Sequence, residues 1–123
     1  MIENAIPVLP VSDLPASLQF YVKELGFQVD WGGEPGAKVA SVSRDGCPIM
    51  LSQSLAPAGG AWVWLGVQDA SLFDQLRSRG VRVVQEPCND SWAYEMKFAD
   101  PDGNVLWLGT EPRTDLPLLD ASD

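Results

Sequence analysis

The chain has 123 residues, five tryptophans, no histidine and a formal net charge of −9. The absence of histidine removes the commonest general base and transition-metal ligand, and the negative charge argues against nucleic acid as a partner. There is no apolar run of membrane-spanning length and no recognisable signal peptide, so the sequence predicts a soluble, cytoplasmic protein that does not bind membranes.

The first half of the chain predicts one strand, one helix and three more strands. The helix opens at Val11–Leu14, with Ser or Asp as the N-cap, and its apolar positions recur at helical spacing as far as Leu25. Arg44–Asp45–Gly46 is a strong hairpin signal between the last two strands. The predicted strands of this half are 5–9, 27–31, 38–43 and 47–53.

The second half repeats this order. A helix opening at Val67–Ala70 follows a strand, and Asp100–Gly103 is the turn between the last two strands. The predicted strands are 61–65, 81–85, 93–99 and 104–108. The whole is predicted to be an α+β fold in which two βαβββ modules form a curled, cup-shaped mixed sheet with the helices outside.

These elements set the expected boundaries of the domain. Modules 4–55 and 61–110 would form a single domain over residues 1–110, joined by a Gly- and Ala-rich linker. Residues 111–123 are predicted to be an acidic, mobile tail. Its acids are Glu111, Asp115, Asp120 and Asp123.

Several of these segments carry a resemblance to a known family. Val11–Leu14, Phe20–Tyr21, Leu25–Phe27 and Asp100–Asn104 resemble the corresponding motifs of the vicinal oxygen chelate superfamily. That superfamily contains glyoxalase I, extradiol dioxygenases and bleomycin-binding resistance proteins. The resemblance covers roughly residues 4–110 and implies the same cup-shaped fold.

The resemblance also bears on metal binding. In the metalloenzymes of the superfamily, His, Glu or Gln side chains point into the cup from the first and last strands of each module. The matching positions here are Ile6, Met50, Trp62 and Trp107, and none of them offers a good ligand atom for a transition metal. We therefore expect no metal, no cofactor and no catalytic residues.

The bleomycin-resistance branch is the closer match. Ala5–Leu9, Ala61–Trp64, Trp92 and Glu95 resemble its pattern. That branch implies a homodimer that sequesters a planar, cationic antibiotic in apolar grooves at the subunit interface and confers antibiotic resistance without modifying the drug. The alternatives are a metal-independent enzyme of this fold, using Glu95 or Tyr94 as acid or base, and a ligand sensor.

Tryptophans are the main candidates for ligand binding, because their flat rings can stack on a ring-bearing ligand. Trp62 and Trp64 alternate on one predicted strand and so share a face. Trp107 is expected on the cup face if Leu106 and Leu108 face the helices. Core or dimer packing is the alternative role for each of these rings.

The other candidates come from loops and strand ends. Trp92 follows a segment, 87–91, whose composition indicates a loop, and the resemblance implies that it stacks on the ligand. Asp30 is a candidate to meet a cationic group of the ligand, and Trp31 to form a groove wall. The remaining predicted ligand-binding residues are Met50, Ser52 and Glu95.

Overall fold

The structure is a computed structural model that describes residues 1–55 and 57–119. Asp120 and Asp123 of the predicted tail, and Ala56 of the predicted linker, lie outside the described residues. The chain forms two compact units, Met1–Ala61 with Asp100–Asn104, and Trp62–Ala99 with Val105–Asp123. In the described part of the chain, neither helix has the length and apolar character needed to cross a membrane.

The first unit contains a four-stranded sheet with the order β1-β4-β3-β2, in which β1 pairs with β4 in parallel and the other pairs are antiparallel. Helix α1 continues directly into a π-helical turn, Phe20–Glu24. The side chain of Asp13 caps α1 by accepting a hydrogen bond from the Ala16 amide, as predicted. The elements are β1 Val8–Pro10, α1 Leu14–Gln19, β2 Gln28–Trp31, β3 Val39–Arg44 and β4 Cys47–Ser52.

The second unit has the same topology, with the strand order β5-β8-β7-β6 and a parallel pairing between β5 and β8. Its core lies on the face of the sheet that carries Leu106 and Leu108, together with Phe73 and Leu76 of the helix. The elements are β5 Trp62–Gly66, α2 Ser71–Ser78, β6 Arg82–Asn89, β7 Tyr94–Ala99 and β8 Val105–Thr110.

The predicted α+β class and the repeated βαβββ order are confirmed. Asp45 and Gly46 both have positive φ, at 52° and 77°, which is the type I′ geometry expected of the predicted hairpin. Each sheet remains open, with β1 and β2 at the edges of the first and β5 and β6 at the edges of the second.

Strand β6 is longer than predicted. β6 extends to Asn89 and so includes Pro87 and Cys88, which the composition had assigned to a loop. Its pairing with β7 shifts register twice, between Val83 and Gln85 and again before Cys88. An edge strand with bulges tolerates proline because the proline nitrogen does not have to donate to a neighbour.

Residues 111–119 contact the end of β6. The side chain of Asn89, which is only 4% exposed, donates to the carbonyl oxygens of Arg113 and Leu116 and accepts from the Arg113 amide. The Leu119 amide donates to the Asn89 carbonyl oxygen over 2.8 Å. Asn89, through its side chain and its backbone carbonyl, therefore anchors residues 111–119 to the end of β6, and the Arg113 guanidinium also lies over the Tyr94 ring.

The Asp100–Asn104 turn is organised by the buried carboxylate of Asp100. One of its oxygens accepts from the backbone amides of Asp102 and Asn104, and the other accepts from the Asn104 side chain and from the Tyr21 hydroxyl, each over 2.9 Å. Asn104 in turn donates to the Pro10 carbonyl oxygen. Among the described residues, no buried side-chain nitrogen or oxygen of the turn lacks a hydrogen-bond partner. The network connects the turn to the π-helical extension of α1 and to β1.

The buried Tyr21–Asp100 bond predicts a specific pH dependence. Burial, followed by the charge of Asp100, raises the pKa of Tyr21 well above its ordinary value of 10.0. The folded state therefore keeps a proton that the unfolded state loses near pH 10, so this bond contributes its full stability below pH 10 and loses it as the pH rises further. We expect Tyr21→Phe to lower the free energy of unfolding by about 1–2 kcal/mol at pH 8.

The difference between wild type and Tyr21→Phe should narrow between pH 10 and pH 11.5 in urea unfolding experiments. Tyr94→Phe is the control, since it removes a tyrosine hydroxyl but leaves the Asp100 network intact. A difference that stays constant across this pH range would contradict the assignment.

Candidate ligand-binding site

Four of the five tryptophans contact one another in the second unit. Trp62 and Trp64 project from β5, Trp107 projects from the adjacent strand β8, and Trp92 lies in the loop between β6 and β7. The Trp107 ring packs edge-on against the other three, with centroid distances of 6.0, 5.2 and 5.4 Å to Trp62, Trp64 and Trp92. We call this surface the tryptophan face.

The rings of the tryptophan face are largely accessible to solvent. Trp62, Trp64 and Trp92 are 56%, 42% and 53% exposed. Trp64 and Trp92 also contact each other, with centroids 5.3 Å apart and ring planes inclined by 35°. Contiguous exposed rings on a folded domain are typical of an interaction site.

A glycine makes room for the central ring. Gly109 lies on β8 in register with Gly66 of β5. A Cβ atom added at Gly109 would lie 1.9 Å from the Trp64 ring, so this ring packs directly over the glycine backbone. Any larger residue at position 109 would displace Trp64 from its place against Trp92 and Trp107.

A buried carboxylate fixes the orientation of Trp107. The indole N–H of Trp107 donates to Glu95 on β7 over 2.9 Å, and Glu95 is only 4% exposed. The neighbouring Tyr94 points to the opposite side of the sheet, where its ring stacks on Phe73 of α2 with centroids 5.5 Å apart. Glu95 therefore lies on the tryptophan face and Tyr94 does not.

The same face carries a positive charge from Lys97. Its ammonium nitrogen lies 5.4 Å from the Trp62 ring centroid and 5.1 Å from that of Trp107, both within the range of a cation–π interaction. It also donates a hydrogen bond to the Gln85 side-chain oxygen over 2.8 Å. The sequence interpretation did not include Lys97 or Gln85 among the site residues.

One group of possible metal ligands is found among the described residues. The ligand atoms of Cys88, Asp90 and Glu95 lie within 4.8 Å of one another. Burial, together with the charges of Asp90 and Glu95, raises the pKa of the Cys88 thiol. The thiol therefore stays protonated at neutral pH, which makes it a poor nucleophile. The expected absence of metal was based on the strand positions that hold the metal ligands in the metalloenzymes of the superfamily. It remains a prediction.

A cleft of about 360 Å³ opens beside the tryptophan face at the ends of β5 and β8. This volume falls within the range of roughly 300–1,000 Å³ that is usual for small-molecule sites. Its walls combine two of the rings with backbone and polar side chains. The lining residues are Trp64, Gly66, Val67, Gln68, Trp92, Ala93, Gly109, Thr110 and Glu111.

The structure brings five of the nine predicted ligand-binding residues together in the second unit. The other four lie in the first unit. There Asp30 accepts hydrogen bonds from the hydroxyls of Ser41 and Ser43, over 3.1 and 2.7 Å. Asp30 is the extra residue of a bulge in β2, since the pairing with β3 passes from Val29 directly to Trp31.

The remaining predicted residues of the first unit differ in exposure. Trp31 is 49% exposed and Ser52 is buried. The Ser52 hydroxyl accepts a hydrogen bond from the Ser54 amide. Met50 is partly exposed and pairs in register with Ser41, which places it beside the serines that contact Asp30.

The chain belongs to the Glyoxalase/Bleomycin resistance protein/Dioxygenase superfamily, whose family model matches residues 5–108. This confirms the resemblance in the sequence motifs. The superfamily contains both enzymes and binding proteins, so membership by itself does not decide the activity. No curated protein is significantly similar to this chain.

Solved structures with the same fold include an antibiotic-binding protein. The antibiotic-binding protein TnmS3 from Streptomyces sp. CB03234 is 29% identical, with a TM-score of 0.78 over 90% of this chain and 98% of that one. A glyoxalase/bleomycin resistance protein from the same strain is 31% identical, with a TM-score of 0.74 over 87% and 99%. A superfamily member from Sphaerobacter thermophilus DSM 20745 is 25% identical, with a TM-score of 0.73 over 90% and 100%.

Gly109→Ala tests the packing of the tryptophan face. The new methyl group would collide with the Trp64 ring, so we expect the ring to swing into solvent and the free energy of unfolding to fall by about 1 kcal/mol as ring contacts are lost. The tryptophan emission maximum should shift to longer wavelength. Gly66→Ala is the matched control, since its Cβ would lie at an ordinary contact distance of 3.4 Å from Trp64. Equal effects of the two variants would contradict this packing.

Proposed function

We propose that this protein binds a planar, ring-bearing antibiotic on the tryptophan face and sequesters it without chemical change. The observation that carries the proposal is the cluster of four tryptophans in which Trp107 contacts the other three, and those three are 42–56% exposed. Side chains of this kind gain most when a second flat ring stacks on them, by about 1 kcal/mol for each stack beyond the buried area.

Two further observations support a binding role. The chain has no histidine, so the general base and metal ligand that serve most enzymes of neutral pH are missing. A structure of the same fold with 29% identity is described as an antibiotic-binding protein. Both favour capture of a ligand over its conversion.

A metal-independent enzyme is the second candidate, and Glu95 is the residue that favours it. This buried carboxylate lies on the tryptophan face, whereas Tyr94, the other candidate acid or base, packs against α2. Both oxygens of Glu95 already have neighbours in the indole N–H of Trp107 and the thiol of Cys88. Glu95 therefore serves first to position a ring.

The proposal predicts quenching of tryptophan fluorescence by bleomycin or by other flat polycyclic antibiotics at micromolar concentration. Trp92→Ala should weaken binding about fivefold, which corresponds to the loss of one stacking contact. Trp92→Phe keeps a ring at this position and should retain most of the affinity. Expression of the wild type in a sensitive bacterial host should raise the inhibitory concentration of the same drug.

Two controls distinguish sequestration from enzymatic conversion and from metal-dependent binding. The bound drug should be recovered unchanged by mass spectrometry, and its affinity should be the same after dialysis of the protein against EDTA. A converted drug would favour the enzyme, and a loss of affinity after EDTA would point to a metal. No quenching by any member of the panel at high micromolar concentration would count against the proposal as a whole.

The proposal includes a cytoplasmic homodimer. The first sheet ends in the short strand β1, whose Val8 is exposed, and the second ends in β5, whose Trp62 is exposed. Open sheet edges with apolar side chains are commonly covered by a second copy of the chain. Sedimentation velocity at micromolar concentration should therefore give the mass of a dimer, and a monomer would contradict this part of the proposal.

A further inference from the structure

The positive charge on the tryptophan face comes from a lysine that already interacts with the rings. Lys97 lies opposite Trp107 in the pairing of β7 with β8. Its ammonium nitrogen is placed over the rings of Trp62 and Trp107 and donates to Gln85. The positions that a ligand cation would take over these two rings are therefore filled by the protein itself.

Lys97 has no carboxylate partner in the part of the chain that the structure describes. Ion pairs there include Arg44–Asp45, Arg77–Glu86 and Arg113–Asp115. Glu95, the nearest acid along the strand, instead accepts from the indole of Trp107 and lies beside the Cys88 thiol. An anion that reached Lys97 would gain a charge-assisted hydrogen bond without first breaking an ion pair.

We propose that the ligand of this face is a flat ring system that carries an acidic group, such as a carboxylate or an acidic phenol, and that Lys97 binds this group while the tryptophans stack on the ring. The inference rests on the proposed function and specifies the ligand class. It differs from the expectation of a cationic ligand, which was drawn from the net charge of −9.

The distance over which each charge acts decides whether the net charge of the chain or Lys97 determines the charge of the preferred ligand. Glu95 lies on this face but is buried against the Trp107 indole, and Asp90 lies beside it. The other acidic residues act on a ligand across solvent, where physiological salt screens charges beyond about 8 Å. Lys97 would instead interact with a bound ligand at contact distance, on a face where the rings exclude part of the water. A cationic ligand stacked on Trp62 or Trp107 would meet the Lys97 ammonium, and like charges in contact disfavour binding.

Three naphthalenes with the same ring and different charges test this inference. The probes are 2-naphthoate, 2-naphthalenemethanol and 2-naphthylmethylamine at pH 7.5. The readout is the set of tryptophan indole N–H signals in ¹H–¹⁵N NMR spectra, with the Trp107 signal assigned from Trp107→Phe. We expect all three probes to shift the signals of the tryptophan face, and 2-naphthoate to bind about tenfold more tightly than the amine.

Lys97→Met removes the charge and keeps an apolar stem of similar length, so it should abolish the tenfold preference. Lys97→Arg keeps the charge and should preserve it. Lys23→Met is the matched control, since Lys23 is an exposed residue of the first unit and its loss changes the net charge by the same amount. This control should retain the wild-type preference.

The outcomes separate the two proposals. If the amine binds as tightly as 2-naphthoate, or if Lys23→Met reduces the preference as much as Lys97→Met, the assignment of Lys97 is wrong while ring binding stands. If even the neutral 2-naphthalenemethanol leaves the indole signals unchanged at millimolar concentration, ring binding on this face is wrong, and the inference fails with it.

Discussion

The hydrogen bond from the Trp107 indole to the Glu95 carboxylate is the contact on which the tryptophan face depends. Trp107 is the ring that touches all three of the others. Its only polar atom is held by a carboxylate that is itself almost fully buried. A tryptophan without this bond would be free to rotate about its side-chain torsions, and the edge-on contacts with Trp62, Trp64 and Trp92 would lose their common support.

The two βαβββ units use the same topology to present different surfaces. In the second unit, the strand positions opposite the helix carry large rings, one glycine to accommodate them, and a lysine. In the first unit, the face that carries Met50 presents the hydroxyls of Ser41 and Ser43, which contact Asp30, and a single exposed ring, Trp31, in register with Ser41. Since the backbone pairing is alike in both units, the difference lies in the side chains, and a ligand that stacks on several rings at once is expected to choose the second sheet.

Alternation along the strands predicted much of this arrangement. Because successive side chains of a strand point to opposite faces, Trp62, Trp64 and Trp107 could be placed on one surface from the sequence. The same rule applied to β7 puts Lys97 on the face of Glu95, two residues away. Lys97 is nevertheless not predictable as a site residue from the sequence, because a lysine on a strand is more often a solvated side chain than part of a site.

The β-bulges could not be predicted from the alternation of side chains along a strand. Alternation assigns Asp30 to a face by counting from its neighbours, but the bulge at this residue changes the count and brings its carboxylate to two serines. Similarly, composition marked Pro87 as part of a loop, whereas two register shifts allow β6 to continue through it. Bulges depend on the pairing of two strands, and no single segment of sequence specifies them.

The position of Lys97 also explains how exposed rings can be tolerated in the absence of a ligand. Rings open to water favour unwanted association, and a cation with an aliphatic stem covers part of their surface while keeping its charge hydrated. The ammonium of Lys97 lies over Trp62 and Trp107. An arriving acidic ring would take over the contact with the tryptophans and retain the ammonium as its counter-ion. The same side chain would then protect the face when it is empty and select the ligand that fills it.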